Sequence, residues 1–309
     1  YLAKPEGPRI NMLKAIRQVL DHELTINPRM LMFGEDVGAK GGVHAASLGL
    51  FQKFGDHRVF DTSLSEEGII GRSVGMALAG LLPVPEIQFR KYAEPASEQL
   101  TDIGMMRWRT NNQFAVPMVV RMPGGFAGCG DPWHSMSDEV EWAHKMGWHL
   151  AMPSNAQDAA GLLRYALRDN NPSIFFEHRS LLDAASARRP YPGDDYVLPF
   201  GKANVVNEGN QLTVVTWGAM VERCLTASES INTTVSSANS TGGNAGIEII
   251  DLRTIQPWDK GTVLQSVRKT HRCLIIHEDM LTAGFGAEIA AVLAKEAFFD
   301  LDAPIERLA

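Results

Sequence analysis

Two hydrophobic periods alternate along the first part of the chain. Met12 to Leu24 places apolar residues at helical spacing, and "MLMF" (30–33) is a short apolar run ending in "GEDVG". After "RVFD" the stretch "DTSLSEEG" (61–68) opens an apolar helical run, Ile69 to Leu82, and "VPEIQF" (84–89) reads as a strand. The pattern then predicts one long helix from about Pro95, the strand "VPMVVRM" (116–122), the strand "HLAM" (149–152), a helix from Ala156 to Leu167 and the strand "SIFFEH" (173–178). Strands of four to eight apolar residues separated by helices predict a mainly parallel sheet covered on both faces. Ligands of such sheets bind beyond the carboxyl ends of the strands, where the loops 34–44 and 123–136 should lie.

"ARRPYPGDDYVLP" (187–199) is rich in proline, glycine and charge and reads as a linker. From Gly201 a smaller α/β unit follows: "LTVVTWG", a helix from Met220, "IEIIDL", a helix from Asp259, "CLIIHED" and "GFGAEIAAVLAKEA". The expected domains are therefore 1–187 and 201–309, joined by 188–200. Within the second, "SINTTVSSANSTGGNAG" (230–246) is low in complexity and reads as a mobile surface insertion.

Composition narrows the classes. The 309 residues are 45% hydrophobic and 21% charged, as in an ordinary globular protein with room for two cores. A net charge of −7, with no basic run beyond Arg188-Arg189, argues against nucleic acid or an anionic membrane as the main partner. Cys129, Cys224 and Cys273 stand far apart, which suits a reducing compartment better than a disulfide framework. No apolar stretch approaches the ~20 residues of a membrane-spanning helix.

Two stretches carry unusual polar residues. In the first, Glu66 and Glu67 stand side by side at a helix start, where Ser65 can act as the cap and early carboxylates suit the helix dipole. The second is "GCGDPWHSMSDEVEWAHK" (128–145), in which His134 precedes a helix that Ser135 or Ser137 can cap. An imidazole against a helix N-terminus is disfavoured in its charged form, although such a histidine can also simply help to cap the helix. His144, further inside, reads as structural. His277-Glu278-Asp279 has ligand chemistry, but adjacent strand residues point to opposite faces, which disfavours a metal site. No phosphate loop, dinucleotide fingerprint or nucleophile elbow is present, and "GFGAEIA" (284–290) is too short and too late to be one.

Several ordered blocks go further. "FGEDVGAKGGV", "DTSLSEEGIIGRSVGMALAG", "EIQFRKYAEPASEQL", "GDPWHS", "DLRTIQPWD" and "IIHEDMLTAGFGAEI" resemble the beta subunit of the thiamine-diphosphate-dependent decarboxylating component of 2-oxo acid dehydrogenase complexes. "EIQF" and "DLRTIQPWD" are most similar to the branched-chain type, with pyruvate enzymes next. The resemblance implies a pyrimidine-binding three-layer α/β domain followed by a smaller transketolase-type C-terminal α/β domain. It implies that Glu66, not Glu67, hydrogen-bonds N1′ of the aminopyrimidine and favours the tautomer that activates the cofactor. It places Leu64, Gln88 and Tyr92 along the pyrimidine and His134 towards the substrate, with Met136 where relatives often carry glutamine. It also implies a structural potassium ion at the carbonyls of Val116, Met118, Val119 and Ala166 and the side chains of Asp169 and Asn171.

The chain lacks the G-D-G motif, followed by Asn, that holds magnesium and the diphosphate in this superfamily. "GDH", "GDP" and "GDD" are not that motif. The resemblance therefore implies that magnesium comes through an alpha subunit or a fused alpha region. Further implied partners are a second copy of the chain, a lipoyl acyltransferase core and a small-molecule 2-oxo acid. The expected compartment is the cytoplasm in a bacterium and the mitochondrial matrix in a eukaryote. Because the chain begins at Tyr1 and relatives run on beyond Ala309, it is expected to be processed or part of something longer, and truncated at its C-terminus. The alternatives are half of a transketolase-like ketol transferase and a non-catalytic assembly module.

Overall fold

The computed structural model describes residues 7–127, 132–238 and 245–309. In the first unit a short β1 (Arg9–Ile10) precedes α1 (Met12–Ile26), whose Asn11 cap accepts the Lys14 amide at 2.9 Å. There follow β2 (Met30–Gly34), α2 (Leu50–Phe54), β3 (Val59–Asp61), α3 (Glu66–Leu78) and β4 (Leu82–Glu86). After a 3-10 segment (Arg90–Ala96) come α4 (Ser97–Gly104), α5 (Met106–Arg109), β5 (Val119–Gly124), α6 (Glu139–Ala143) and β6 (His149–Ala151). The unit closes with α7 (Ala156–Arg168), β7 (Ser173–His178) and β8 (Arg189–Pro190), which pairs with β1.

Alternation along the strands divides the core. Met32, Val84, Val119 and Phe175 pack with α1 and α7, whereas Phe33, Val120, Ile174 and Phe176 pack with α3 and α4. Near-continuous apolar strands are what a sheet covered on both faces requires.

The second unit holds β9 (Asn204–Asn207), β10 (Leu212–Thr216), α8 (Met220–Ala238), β11 (Ile247–Asp251), β12 (Thr254–Gln256), α9 (Lys260–Thr270), β13 (Cys273–Ile276), α10 (Phe285–Glu296) and β14 (Glu306–Leu308). Its sheet runs in the order β14-β13-β10-β11-β9, with only β9 antiparallel to its neighbour. β12 leaves this sheet and pairs antiparallel with β6, so the larger sheet runs β12-β6-β7-β5-β4-β2-β3. One buried cluster accordingly continues from Val120 and Ile174 to Val215, Ile250 and Phe285.

Four local expectations need correction. The helix expected from Pro95 is broken into a 3-10 segment, α4 and α5. Proline lacks an amide to donate, and Gly104 lies so close to the Met146 carbonyl that any side chain there would collide. Residues 230–238, expected in a mobile insertion, are the second half of α8, while 239–244 lie outside the described residues. The segment 188–200 is not a free linker: Arg164 Nη1 donates to the Tyr196 carbonyl at 2.5 Å, and Tyr196, Leu198 and Phe200 are buried. Ser65 sits at the cap position of α3 without bonding a helix amide, and its hydroxyl instead donates to Glu67 Oε1 at 2.9 Å.

Candidate active site

Glu66, Gln88, Tyr92 and His134 lie on segments that follow the carboxyl ends of β3, β4 and β5 in one parallel sheet. β3 delivers Leu64 and Glu66, the first residue of α3. Glu66 is half-buried, whereas Leu64 is 78% exposed and Glu67 is exposed. Beside Glu66 stand Glu35 and Asp36, which follow β2. Burial, then the charges of Glu66 and Asp36, push the Glu35 carboxyl above its ordinary range. Gln88 joins this group, its amide donating to Asp36 Oδ2 at 3.3 Å.

The floor beneath them is ionic. Register sets Glu86, the last residue of β4, opposite Arg121 on β5. Arg121 donates to Glu86 Oε2 at 2.7 Å and to Glu177 on β7 at 2.6 and 2.9 Å, all three side chains being buried. Burial raises the Glu86 pKa despite the neighbouring guanidinium. The same burial opposes charge on Arg121, but the two carboxylates outweigh it and hold the guanidinium ionised.

An aromatic hub completes the site. Phe89, 8% exposed, meets the His134 ring edge-on at 4.3 Å, Tyr92 at 5.6 Å and His44 at 5.5 Å, with the Arg179 guanidinium 5.3 Å from its centre. Tyr92 and His134 share a hydrogen bond of 2.7 Å between the phenol and Nε2. Burial, helped by the Arg179 and Arg121 charges against that of Glu177, lowers the His44 pKa, and its buried Nε2 has no hydrogen-bond partner among the described residues. His44, Glu35, Phe89 and Arg179 were not distinguished from the sequence. The pattern of strands sets the loop 34–44 at the ligand-binding end, but no local signal separates these side chains from their neighbours.

His134 lies in a 3-10 turn (Pro132–His134), and α6 begins only at Glu139. The expectation that Ser135 or Ser137 caps α6 against His134 therefore fails: Asp138 holds the cap position, and the buried Ser137 hydroxyl has no partner among the described residues. Residues 128–131 of that stretch lie outside the described residues. His144 ends α6. His277, Glu278 and Asp279 separate as adjacent residues should: His277 stacks on Trp217 at 5.3 Å, Glu278 bonds His178, and Asp279 accepts the Val140 amide at 3.4 Å. Among the described residues no cluster of three or more His, Cys, Asp or Glu could hold a metal ion.

The residues expected around potassium stand elsewhere, at the opposite end of β5 and β7. Val116, Met118, Val119 and Ala166 are buried, and the Met118 carbonyl accepts the Ser173 amide at 2.9 Å. Asn171 donates to Asp169 at 3.0 Å, and His149 lies 3.0 Å from the same carboxylate. Burial of Asp169 works against ionisation, but the bonds from His149 and Asn171 prevail and hold its pKa down.

Comparison with known proteins supplies the family. Residues 8–184 match the family described as "Transketolase, pyrimidine binding domain", and residues 201–309 match "Transketolase, C-terminal domain". The chain is 39% identical over 301 residues to the 2-oxoisovalerate dehydrogenase subunit beta of Bacillus subtilis, covering 97% of this chain and 89% of that one. It is 41% identical to the mitochondrial subunit beta 2 of Arabidopsis thaliana (98% and 82% covered) and 40% identical to the Pseudomonas aeruginosa subunit beta (97% and 86%). The chain belongs to the beta subunits of branched-chain 2-oxo acid dehydrogenases. The fold of this family is shared with a split-gene transketolase beta chain described as an inactive tetramer. That structure superposes with a TM-score of 0.73 at 18% identity, covering 97% of this chain and 88% of the other.

The residues present suit an aminopyrimidine. Following the carboxyl ends of β3 and β4 come an exposed apolar side chain, Leu64, a half-buried carboxylate, Glu66, and the polar groups of Gln88 and Tyr92. Flat heteroaromatic rings need that combination of apolar face and hydrogen-bonding rim. No described helix is long and apolar enough to cross a membrane.

Proposed function

We propose that this chain is the beta half of a thiamine-diphosphate-dependent 2-oxo acid dehydrogenase that decarboxylates a branched-chain 2-oxo acid such as 2-oxoisovalerate. The observation that carries the reading is the half-buried Glu66 at the N-terminus of α3, whose charge acts on Glu35 beside the Gln88–Asp36 pair. When bound, thiamine diphosphate supplies the electron sink that accepts the electron pair left as carbon dioxide departs. Glu66 holds and returns a proton at the pyrimidine N1′. Leu64 supports the ring face, and Gln88 is anchored to Asp36 at its edge.

His134 moves a proton on the substrate side. Tyr92 fixes its Nε2, and the Phe89 face fixes its ring plane, so little orientational freedom remains to be lost during reaction. An alpha subunit or region supplies the magnesium and diphosphate half of the site and closes it over Leu64. A lipoyl domain of an acyltransferase core receives the acyl group. A potassium ion, held by the buried carbonyls of Val116, Met118, Val119 and Ala166 with Asp169 and Asn171, has a structural part only. It requires the Asn171 amide to turn from Asp169 and present its oxygen. The proposed compartment is the bacterial cytoplasm or the mitochondrial matrix.

Calorimetry tests the split site. The chain alone should bind thiamine diphosphate and magnesium weakly, and the alpha–beta complex should bind them tightly with a raised thermal midpoint. The complex should decarboxylate 2-oxoisovalerate faster than pyruvate and should not act on sugar phosphates. Tight binding by the chain alone, or ketol transfer between sugar phosphates, would refute the reading.

A further inference from the structure

Arg179 is the first residue beyond β7 and touches the candidate histidine through its backbone. Its Nη1 donates to the His134 carbonyl at 2.6 Å and lies 3.5 Å from Ser135 Oγ. The guanidinium also stands over Phe89, against which the His134 ring packs. A charged donor on a carbonyl makes one of the stronger hydrogen bonds in proteins. Other described backbone bonds on this segment are the Ser135 amide to the Pro132 carbonyl at 3.2 Å and the Gly125 amide to the Met136 carbonyl at 2.9 Å.

The point from which Arg179 projects is itself fastened. The fully buried His178 bonds Glu278 of the second unit through Nε2 and Ser180 Oγ through Nδ1 at 2.9 Å. Its ring fills the space beside Gly125, where any Cβ would collide, and Gly125 adopts φ +84°. Gly125 is the residue that anchors Met136. One dipeptide, His178-Arg179, therefore supports the histidine segment at Gly125 and at His134, and it is clasped from the C-terminal unit.

We propose that Arg179 is a positioning residue for His134, and that Glu278, acting through His178, makes that position depend on seating of the C-terminal domain. The inference rests on the function proposed above. Arg179 Nη1 holds the His134 carbonyl and its guanidinium stands over Phe89, so the contacts it makes bear on His134.

A double-mutant cycle in the reconstituted alpha–beta complex tests this. Arg179→Met should lower kcat for lipoyl acylation by about 10–10²-fold, the scale of a small misplacement of a reacting group, with KM little changed. Arg179→Lys, which keeps a charged donor, should recover part of the loss. In a His134→Ala background Arg179→Met should have no further effect, because the residue through which it acts is gone. Amide exchange across 132–137 should quicken in Arg179→Met and in Glu278→Gln, while 119–123 keeps its protection. Losses that multiply in the double variant, or unchanged exchange across 132–137, would overturn the inference. If the wild-type complex decarboxylates no 2-oxo acid, the proposed function fails, while the exchange comparison still reads whether Arg179 holds the segment.

Discussion

Removing Arg121 isolates the ionic floor of the site. In Arg121→Met, three hydrogen bonds of 2.6 to 2.9 Å disappear, and Glu86 and Glu177 remain 2% and 0% exposed without their cation. Breaking a buried ion pair on one side costs about 3–5 kcal/mol. Protonation caps the cost: neutralising a carboxyl of ordinary pKa about 4.3 at pH 7 takes about 4 kcal/mol, and at pH 5 about 1 kcal/mol. Glu86 is already raised by burial, and loss of the guanidinium raises it further. A raised folded-state pKa means that stability is full below the unfolded value and is lost as pH rises. The variant should therefore be most impaired at pH 7 and recover towards pH 5. Urea unfolding of the purified chain at both pH values, followed by circular dichroism, reads the effect. Adding Glu86→Gln should restore part of the loss at pH 7. A loss below about 1 kcal/mol at pH 7, or one that does not shrink at pH 5, would refute the reasoning.

Glu66→Gln should lower decarboxylation with an artificial electron acceptor by about 10²–10³-fold, as expected for a positioned acid-base group. Glu67→Gln, on an exposed residue whose carboxylate accepts from Ser65, should be nearly silent in the same assay. Burial first, then the Asp158 charge, raises the Asp251 pKa from 3.8 to about 7, so stability from that group is full below 3.8 and is lost as pH rises through about 7. Asp251→Asn should then flatten the stability–pH curve, gaining on the wild type from pH 5 to pH 8 by up to roughly 3 kcal/mol at about 1.4 kcal/mol per unit. Gly104→Ala should destabilise by about 1–3 kcal/mol through overpacking against Met146, read as a lower urea midpoint.

Much of the architecture is a local matter, and the sequence carries it. The 3.6-residue period of Met12–Leu24 and Ala156–Leu167 and the apolar runs at 30–33 and 173–178 belong to single segments, and these become α1, α7, β2 and β7. Parallel strands then direct the loops carrying Glu66 and His134 to one end of the sheet. The ordered motifs and the absence of a magnesium motif also lie wholly in the residue order.

Tertiary structure decided what depends on distant residues meeting. Gly104 ends α4 where Met146 and Gly147 arrive against it, and β12 pairs with β6 across the two units. Ser65 has cap chemistry, but its nearest acceptor is Glu67. Tyr92 and Arg179 lie 42 and 45 residues from His134, yet both bond it, and His44 reaches the same aromatic ring from another loop. Periodicity reports which face of a segment is buried; it carries no information about which polar heads that burial brings into hydrogen-bonding range.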